Sequence, residues 1–113
     1  MSAIDELHHF NELTAAEDER LALLLEEMGE ALQIIGKIQR HGYESYHPDR
    51  PSVPNRALLE KEIGDVLAAI DMLVQRKDLD PGQIDGHRLN KHRKVGRYLH
   101  HQGASTQSEA KRG

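Results

Sequence analysis

The sequence repeats itself after 35 residues, and both copies place an acidic residue where a helix would be buried. The stretch LLLEEMGEALQII, residues 23–35, aligns with LLEKEIGDVLAAI, residues 58–70, and six of the thirteen positions are identical. At about 100° per residue, Glu27 and Glu62 each fall in the middle of an apolar helical stripe. Because an unpaired buried charge costs several kcal/mol, both carboxylates need a partner.

Each copy carries a second acid three residues later, Glu30 in the first and Asp65 in the second. If the two stripes pack together, four carboxylates converge, and neither stripe contains a lysine or an arginine. Only a cation resolves their repulsion, and ligands that are all oxygen favour Mg²⁺, Mn²⁺ or Ca²⁺. We expect Mg²⁺, with Mn²⁺ as a substitute, because Mg²⁺ commonly combines a few carboxylates with water and substrate phosphates.

Capping signals define the first helix. Thr14 followed by Glu17 is a capping box, and apolar periodicity continues from there to about Ile38. Gly42 is a typical residue at which such a helix stops. Residues 41–54 contain three prolines and a glycine, which predicts a loop.

Two further helices follow the loop. Asn55 is a suitable cap for a second helix that continues to about Gln75. Asp80 before Pro81 is an N-cap with proline at the first helical position, and the third helix continues to about His100. No window shows the alternating β-branched pattern of a strand, so the predicted class is all-α.

We expect residues 14–102 to form one helical domain, preceded by a segment 1–13 that could contain a short helix and followed by a flexible tail, 103–113. A three-helix monomer cannot cover a second apolar row on each of the first two helices. The chain is therefore predicted to be a homodimer or higher homo-oligomer that completes four-helix packing. The residues of these second rows are Leu21, Leu25, Met28, Leu32, Ile63, Leu67 and Val74.

Charge and composition restrict the class of protein. The formal net charge of −4 argues against binding to a nucleic-acid polymer. A local basic segment, residues 87–97, has five Lys or Arg and no acid, which suits a phosphate-bearing small molecule. The chain has no cysteine, no signal-peptide pattern and no long apolar stretch, so we expect a cytoplasmic protein that does not enter a membrane.

The motifs EEMGE, residues 26–30, and EIGD, residues 62–65, resemble the paired ExxE and ExxD motifs of the MazG-like nucleotide pyrophosphohydrolases. This family belongs to the all-α nucleoside triphosphate pyrophosphatase superfamily, and the likeness covers roughly residues 14–100. The resemblance implies that Mg²⁺ holds a nucleoside triphosphate while water attacks the α-phosphorus, releasing a monophosphate and pyrophosphate. The metal ligands that it implies are Glu27, Glu30, Glu62 and Asp65.

The resemblance and the positions of residues on the predicted helices together indicate further roles. Either Glu26 or Glu30 would accept the proton of the attacking water. Lys91, on the apolar stripe of the third helix, would contact phosphate, and the alternative is a surface lysine whose stem covers apolar neighbours. Arg88 and Lys94 border that stripe and are either further phosphate contacts or a solvated basic face.

The loop between the motifs departs from the family pattern, so the family's substrate preferences do not transfer. Tyr43 and Tyr46 could contact a base, and packing within the loop is the alternative. Two other functions stay open. One is a non-catalytic helical bundle that binds a partner protein, and the other is an enzyme similar to phosphoribosyl-ATP pyrophosphatase.

Overall fold

The computed structural model describes residues 11–102, so the predicted tail and all but the last three residues of the predicted N-terminal segment lie outside it. The described chain contains three α-helices: α1 (Ala15–His41), α2 (Asn55–Gln75) and α3 (Pro81–Lys94). Residues 11–102 contain no strand, and an isolated bridge joins Tyr46 to Pro54. The all-α prediction is confirmed. In the part of the chain described, no helix has both the length and the apolar character needed to cross a membrane.

Both ends of α1 follow the predicted capping. The Thr14 hydroxyl accepts a hydrogen bond from the Glu17 N–H at 3.1 Å, and the Glu17 carboxylate accepts one from the Thr14 N–H at 2.9 Å. At the other end, Gly42 has φ of 91°, a conformation that favours glycine, and its N–H donates to the Ile38 carbonyl. The helix continues to His41, three residues beyond the predicted last residue.

The start of α2 differs from the prediction by one residue. Pro54 occupies the N-cap position, and Asn55 is the first residue of the helix, so the proposed N-cap role of Asn55 is wrong. Its side chain is buried, and Nδ2 donates to the Gly42 carbonyl at 3.2 Å. Asn55 therefore fastens the start of α2 to the end of α1 because a buried amide needs a hydrogen-bond partner.

Helices α1 and α2 pack together as an antiparallel hairpin. Its core contains Ala31, Ala69 and Leu73, all at most 6% exposed. Two of these residues are alanines, whose small side chains allow the helices to approach closely. The close approach places the predicted acidic residues of both helices at one interface.

The end of the hairpin away from the loop is held by an ion pair between Arg20 and Asp78. Arg20 donates from Nε to Asp78 Oδ2 at 2.6 Å and from Nη2 to Asp78 Oδ1 at 2.9 Å. Both side chains are mostly buried. The hydrogen bond from Arg20 holds the pKa of Asp78 below its ordinary value.

The described residues 79–102 belong to a second compact unit. Its helix α3 begins as predicted, since the Asp80 carboxylate accepts from the Gln83 N–H at 2.9 Å and Pro81 is the first helical residue. The helix ends at Lys94 and not near His100, and a short 3₁₀ helix, Val95–Arg97, follows it. Gly96 lies in this segment, and glycine weakens an α-helix.

Replacement of Asp78 by asparagine should lower the melting temperature at pH 7 because it removes the charge that Arg20 binds. The pKa of Asp78 is lower in the folded state, so the pair stabilises the protein above the ordinary carboxyl pKa of about 3.9 and loses this effect as the pH falls through the folded-state value. Melting curves followed by circular dichroism should show the gap between parent and Asp78→Asn closing as the pH falls from about 5. Asp71→Asn, an exposed position in α2, is the control and should leave the melting temperature nearly unchanged. A gap that stays constant with pH would contradict a role for the Asp78 charge.

Candidate metal centre

Four carboxylates from α1 and α2 come together in the hairpin, as the sequence predicts. Glu27 and Glu30 project from α1, and Glu62 and Asp65 project from α2. One oxygen from each side chain lies within 4.8 Å of the corresponding oxygens of the other three. Spacing of three residues puts both acids of a helix on one face, and the packing of the two helices brings these faces together. We refer to these four residues as the carboxylate cluster.

Two oxygens of the carboxylate cluster are buried without a hydrogen bond. They are Glu27 Oε2 and Glu62 Oε2, and no described residue donates to either of them. A buried acceptor that has lost water and gained no donor destabilises a fold by about 1–3 kcal/mol, and more when it is charged. These two atoms are the unpartnered groups that the repeated acidic motif predicts.

One basic residue beside the cluster was not predicted from the sequence. Lys61 Nζ lies 2.7 Å from Asp65 Oδ2 and 3.6 Å from Glu62 Oε1. Lys61 lies outside the apolar stripe, and its spacing of four residues from Asp65 is the signal that could have identified the pair. The hydrogen bond to Asp65 raises the pKa of Lys61, so the lysine stays charged.

Lys61 neutralises only the outer part of the cluster. Its side chain is 63% exposed, whereas that of Glu62 is 12% exposed. Among residues 11–102, no Lys, Arg or His forms an ion pair with Glu27 or Glu30. Lys61 therefore gives Asp65 and Glu62 a cationic neighbour from outside the apolar stripe, and Glu27 and Glu30 have no cationic partner among the described residues.

The cluster fits a hard divalent cation. Opposite oxygens around Mg²⁺ lie about 4.2 Å apart, and those around Ca²⁺ about 4.6–5.2 Å apart, from their usual metal–oxygen distances. The spread of 4.8 Å therefore requires only a small movement of the side chains to bind either ion. Because every donor atom is a carboxylate oxygen, the set favours Mg²⁺, Mn²⁺ or Ca²⁺ over metals that prefer nitrogen or sulfur.

The two candidates for a proton acceptor occupy different positions. Glu30 belongs to the carboxylate cluster and is partly buried. Glu26 lies one turn before Glu30 on α1, is exposed and is outside the cluster. Of the two candidate proton acceptors, Glu26 is therefore the one that is exposed to solvent and does not belong to the cluster.

The predicted phosphate-binding residues all lie on α3, which buries none of its residues within the described chain. Arg88 forms an ion pair with Asp85 at 2.7 Å, one turn earlier on the same helix. Lys91 and Lys94 are exposed in the last turn of α3. All three basic side chains therefore belong to the second compact unit.

The two loop tyrosines have different surroundings. The Arg56 guanidinium lies over the Tyr43 ring, 4.4 Å from its centroid, and Arg56 also bonds the Glu44 carboxylate at 2.7 Å. One face of Tyr43 is thereby covered by a cation. Tyr46 is 53% exposed and lines a cavity beside the loop.

Comparison with known proteins gave no relative. A scan against protein-family models, a search of curated proteins and a search of solved structures each found no match to this chain. A functional conclusion therefore depends on the carboxylate cluster and on the motifs that form it.

Proposed function

We propose that this protein is a Mg²⁺-dependent nucleoside triphosphate pyrophosphohydrolase, in which Mn²⁺ can replace Mg²⁺. The observation that carries the proposal is the carboxylate cluster, with buried oxygens of Glu27 and Glu62 that no described residue satisfies. Support also comes from the resemblance of its two motifs to those of the MazG-like family. A cation bound there would attract the phosphates of a nucleotide to an otherwise acidic protein.

The reaction joins water to the α-phosphorus and breaks the bond between this phosphorus and the oxygen that bridges to the β-phosphorus. The products are a nucleoside monophosphate and pyrophosphate, and the water gives up a proton. Glu27, Glu30, Glu62 and Asp65 would hold the cation, which supplies charge neutralisation on the phosphates and a more acidic bound water.

The proton of the attacking water passes to a carboxylate. Coordination to a cation makes a carboxylate a weaker base, so Glu26, which lies outside the cluster, is better suited than Glu30. The resemblance assigns phosphate contact to Arg88, Lys91 and Lys94, which lie on α3 in the second compact unit. A cytoplasmic location fits both a nucleotide substrate and the absence of cysteine.

The apolar surface of the hairpin supports assembly of two chains. Leu25, Leu32 and Leu67 are 75%, 67% and 56% exposed, although such side chains favour burial. The row on α1 lies on the opposite side of the helix from Glu30, so a partner could cover it without filling the carboxylate cluster. We therefore propose a homodimer that completes four-helix packing. The same exposed rows favour the alternative of a non-catalytic bundle that binds another protein.

Asp65→Asn should reduce turnover by about two orders of magnitude or more because it removes a charged ligand of the cation. The measurement is release of pyrophosphate from canonical and modified nucleoside triphosphates, and from phosphoribosyl-ATP, with and without Mg²⁺. The matched control is Asp71→Asn in the same helix, which should keep its activity, and both variants should keep the helical circular dichroism of the parent.

Orthophosphate as the first product would mean that a different bond is cleaved and would contradict the assignment. Absence of any metal-dependent product from the whole panel would favour the non-catalytic bundle. Activity on phosphoribosyl-ATP alone would assign the related pyrophosphatase reaction.

The proposed dimer predicts a mass of twice 12.8 kDa in light scattering coupled to gel filtration. Leu25→Glu should convert it to a monomer because the charge would be buried between the two chains. Gln33→Glu adds the same charge to an exposed position of α1 outside the apolar row and should leave the dimer intact. A parent protein that is monomeric at micromolar concentration would overturn the proposal.

A further inference from the structure

Two adjacent cavities open beside the loop that joins α1 to α2. Their volumes are about 360 and 280 Å³, and they share Lys37, His47 and Leu58 in their linings. Side chains from α1, the loop and α2 form them, so the helical hairpin alone is sufficient to build the site. We refer to the two together as the loop cavity.

The lining of the loop cavity is cationic. Lys37, Arg40 and Arg50 contribute three permanent positive charges, and Asp49 is the only carboxylate among the described lining residues. None of the three cations forms an ion pair within residues 11–102. This excess of positive charge is unusual for a chain whose formal net charge is −4, and it favours an anionic ligand.

His47 adds a ring N–H donor to the loop cavity. Its Nδ1 accepts a hydrogen bond from the Asp49 N–H at 3.1 Å. A neutral imidazole that accepts at Nδ1 carries its proton on Nε2, so this second nitrogen is a donor. Arginine, lysine and a ring N–H together match the charge and the several acceptor oxygens of a phosphate group.

The loop cavity lies on the same side of the hairpin as the carboxylate cluster. Lys37 follows Glu30 by seven residues, two helical turns, and Leu58 precedes Asp65 by seven. Because the helices are antiparallel, both steps lead towards the loop, over a distance of about 10 Å. The loop cavity is thus adjacent to the carboxylate cluster, and its charge is positive where that of the cluster is negative.

We propose that the loop cavity is a phosphate-binding site, separate from the metal centre, that takes a phosphate or pyrophosphate group. The group arrives either as a free anion or as part of a nucleotide, and the exposed ring of Tyr46 in the lining is available to a nucleoside in the second case. Binding at this site needs no divalent cation and does not depend on the proposed hydrolysis.

The test is a titration of the ¹⁵N-labelled full chain with inorganic pyrophosphate, and separately with adenosine monophosphate, in EDTA at constant ionic strength. Amide shifts should saturate and should be largest in residues 37–58. The double variant Lys37→Gln, Arg40→Gln should weaken binding at least about tenfold because it removes two charge-assisted contacts. Lys37→Gln alone should weaken it by a smaller factor.

Two controls distinguish binding in the loop cavity from general attraction to positive charge and from binding at the metal centre. Arg76→Gln removes one exposed positive charge at the opposite end of α2 and should change the affinity less than about twofold. Glu62→Gln alters the carboxylate cluster and should leave pyrophosphate binding in EDTA intact, whatever becomes of the hydrolytic activity. Tighter binding of pyrophosphate identifies a free anion as the ligand, and tighter binding of the monophosphate identifies a nucleotide.

Shifts that do not saturate, or an Arg76→Gln variant that loses as much affinity as the double variant, would overturn the proposal. Circular dichroism of each variant shows that a loss of binding is not a loss of fold. Saturable binding that persists unchanged in a folded double variant would also overturn it.

Discussion

The packing of α1 against α2, which brings four carboxylates together, is the constraint on which the rest of the structure depends. The two helices cannot pack through Ala31 and Ala69 without bringing Glu27 and Glu62 close to each other, because these acids share the same stripes. Lys61 offsets the negative charge of the cluster only on its solvent-facing side. The fold therefore holds four acidic groups close together, an arrangement that a bound cation would stabilise.

Contacts at both ends of the hairpin keep this interface closed. Arg20 and Asp78 join the start of α1 to the residues after α2, and Asn55 joins the start of α2 to Gly42. Both contacts are polar and buried or mostly buried, so breaking either one leaves an unsatisfied group. Together, these two contacts fix the register of α1 against α2 and therefore the position of each carboxylate.

The sequence predicts the helices from local periodicity, and it predicts the carboxylate cluster because the same acidic stripe occurs on both helices. Thr14 and Glu17 are three residues apart, as are Glu27 and Glu30, and such spacing is visible in a single helix. Contacts between distant segments that carry no repeated pattern could not be predicted in the same way. The pairing of Arg20 with Asp78 spans 58 residues, and the basic loop cavity combines side chains of α1, the loop and α2.

Melting curves of the parent and of Glu27→Gln, in EDTA and in Mg²⁺, test the central claim that the cluster is a cation site. In EDTA the variant should melt at a higher temperature because glutamine keeps the shape of the glutamate side chain and removes one of four repelling charges. Mg²⁺ at about a hundred times its dissociation constant should stabilise the parent by about 2.7 kcal/mol and the variant much less. A variant that melts well below the parent in EDTA, with an equal response of both proteins to Mg²⁺, would contradict the claim.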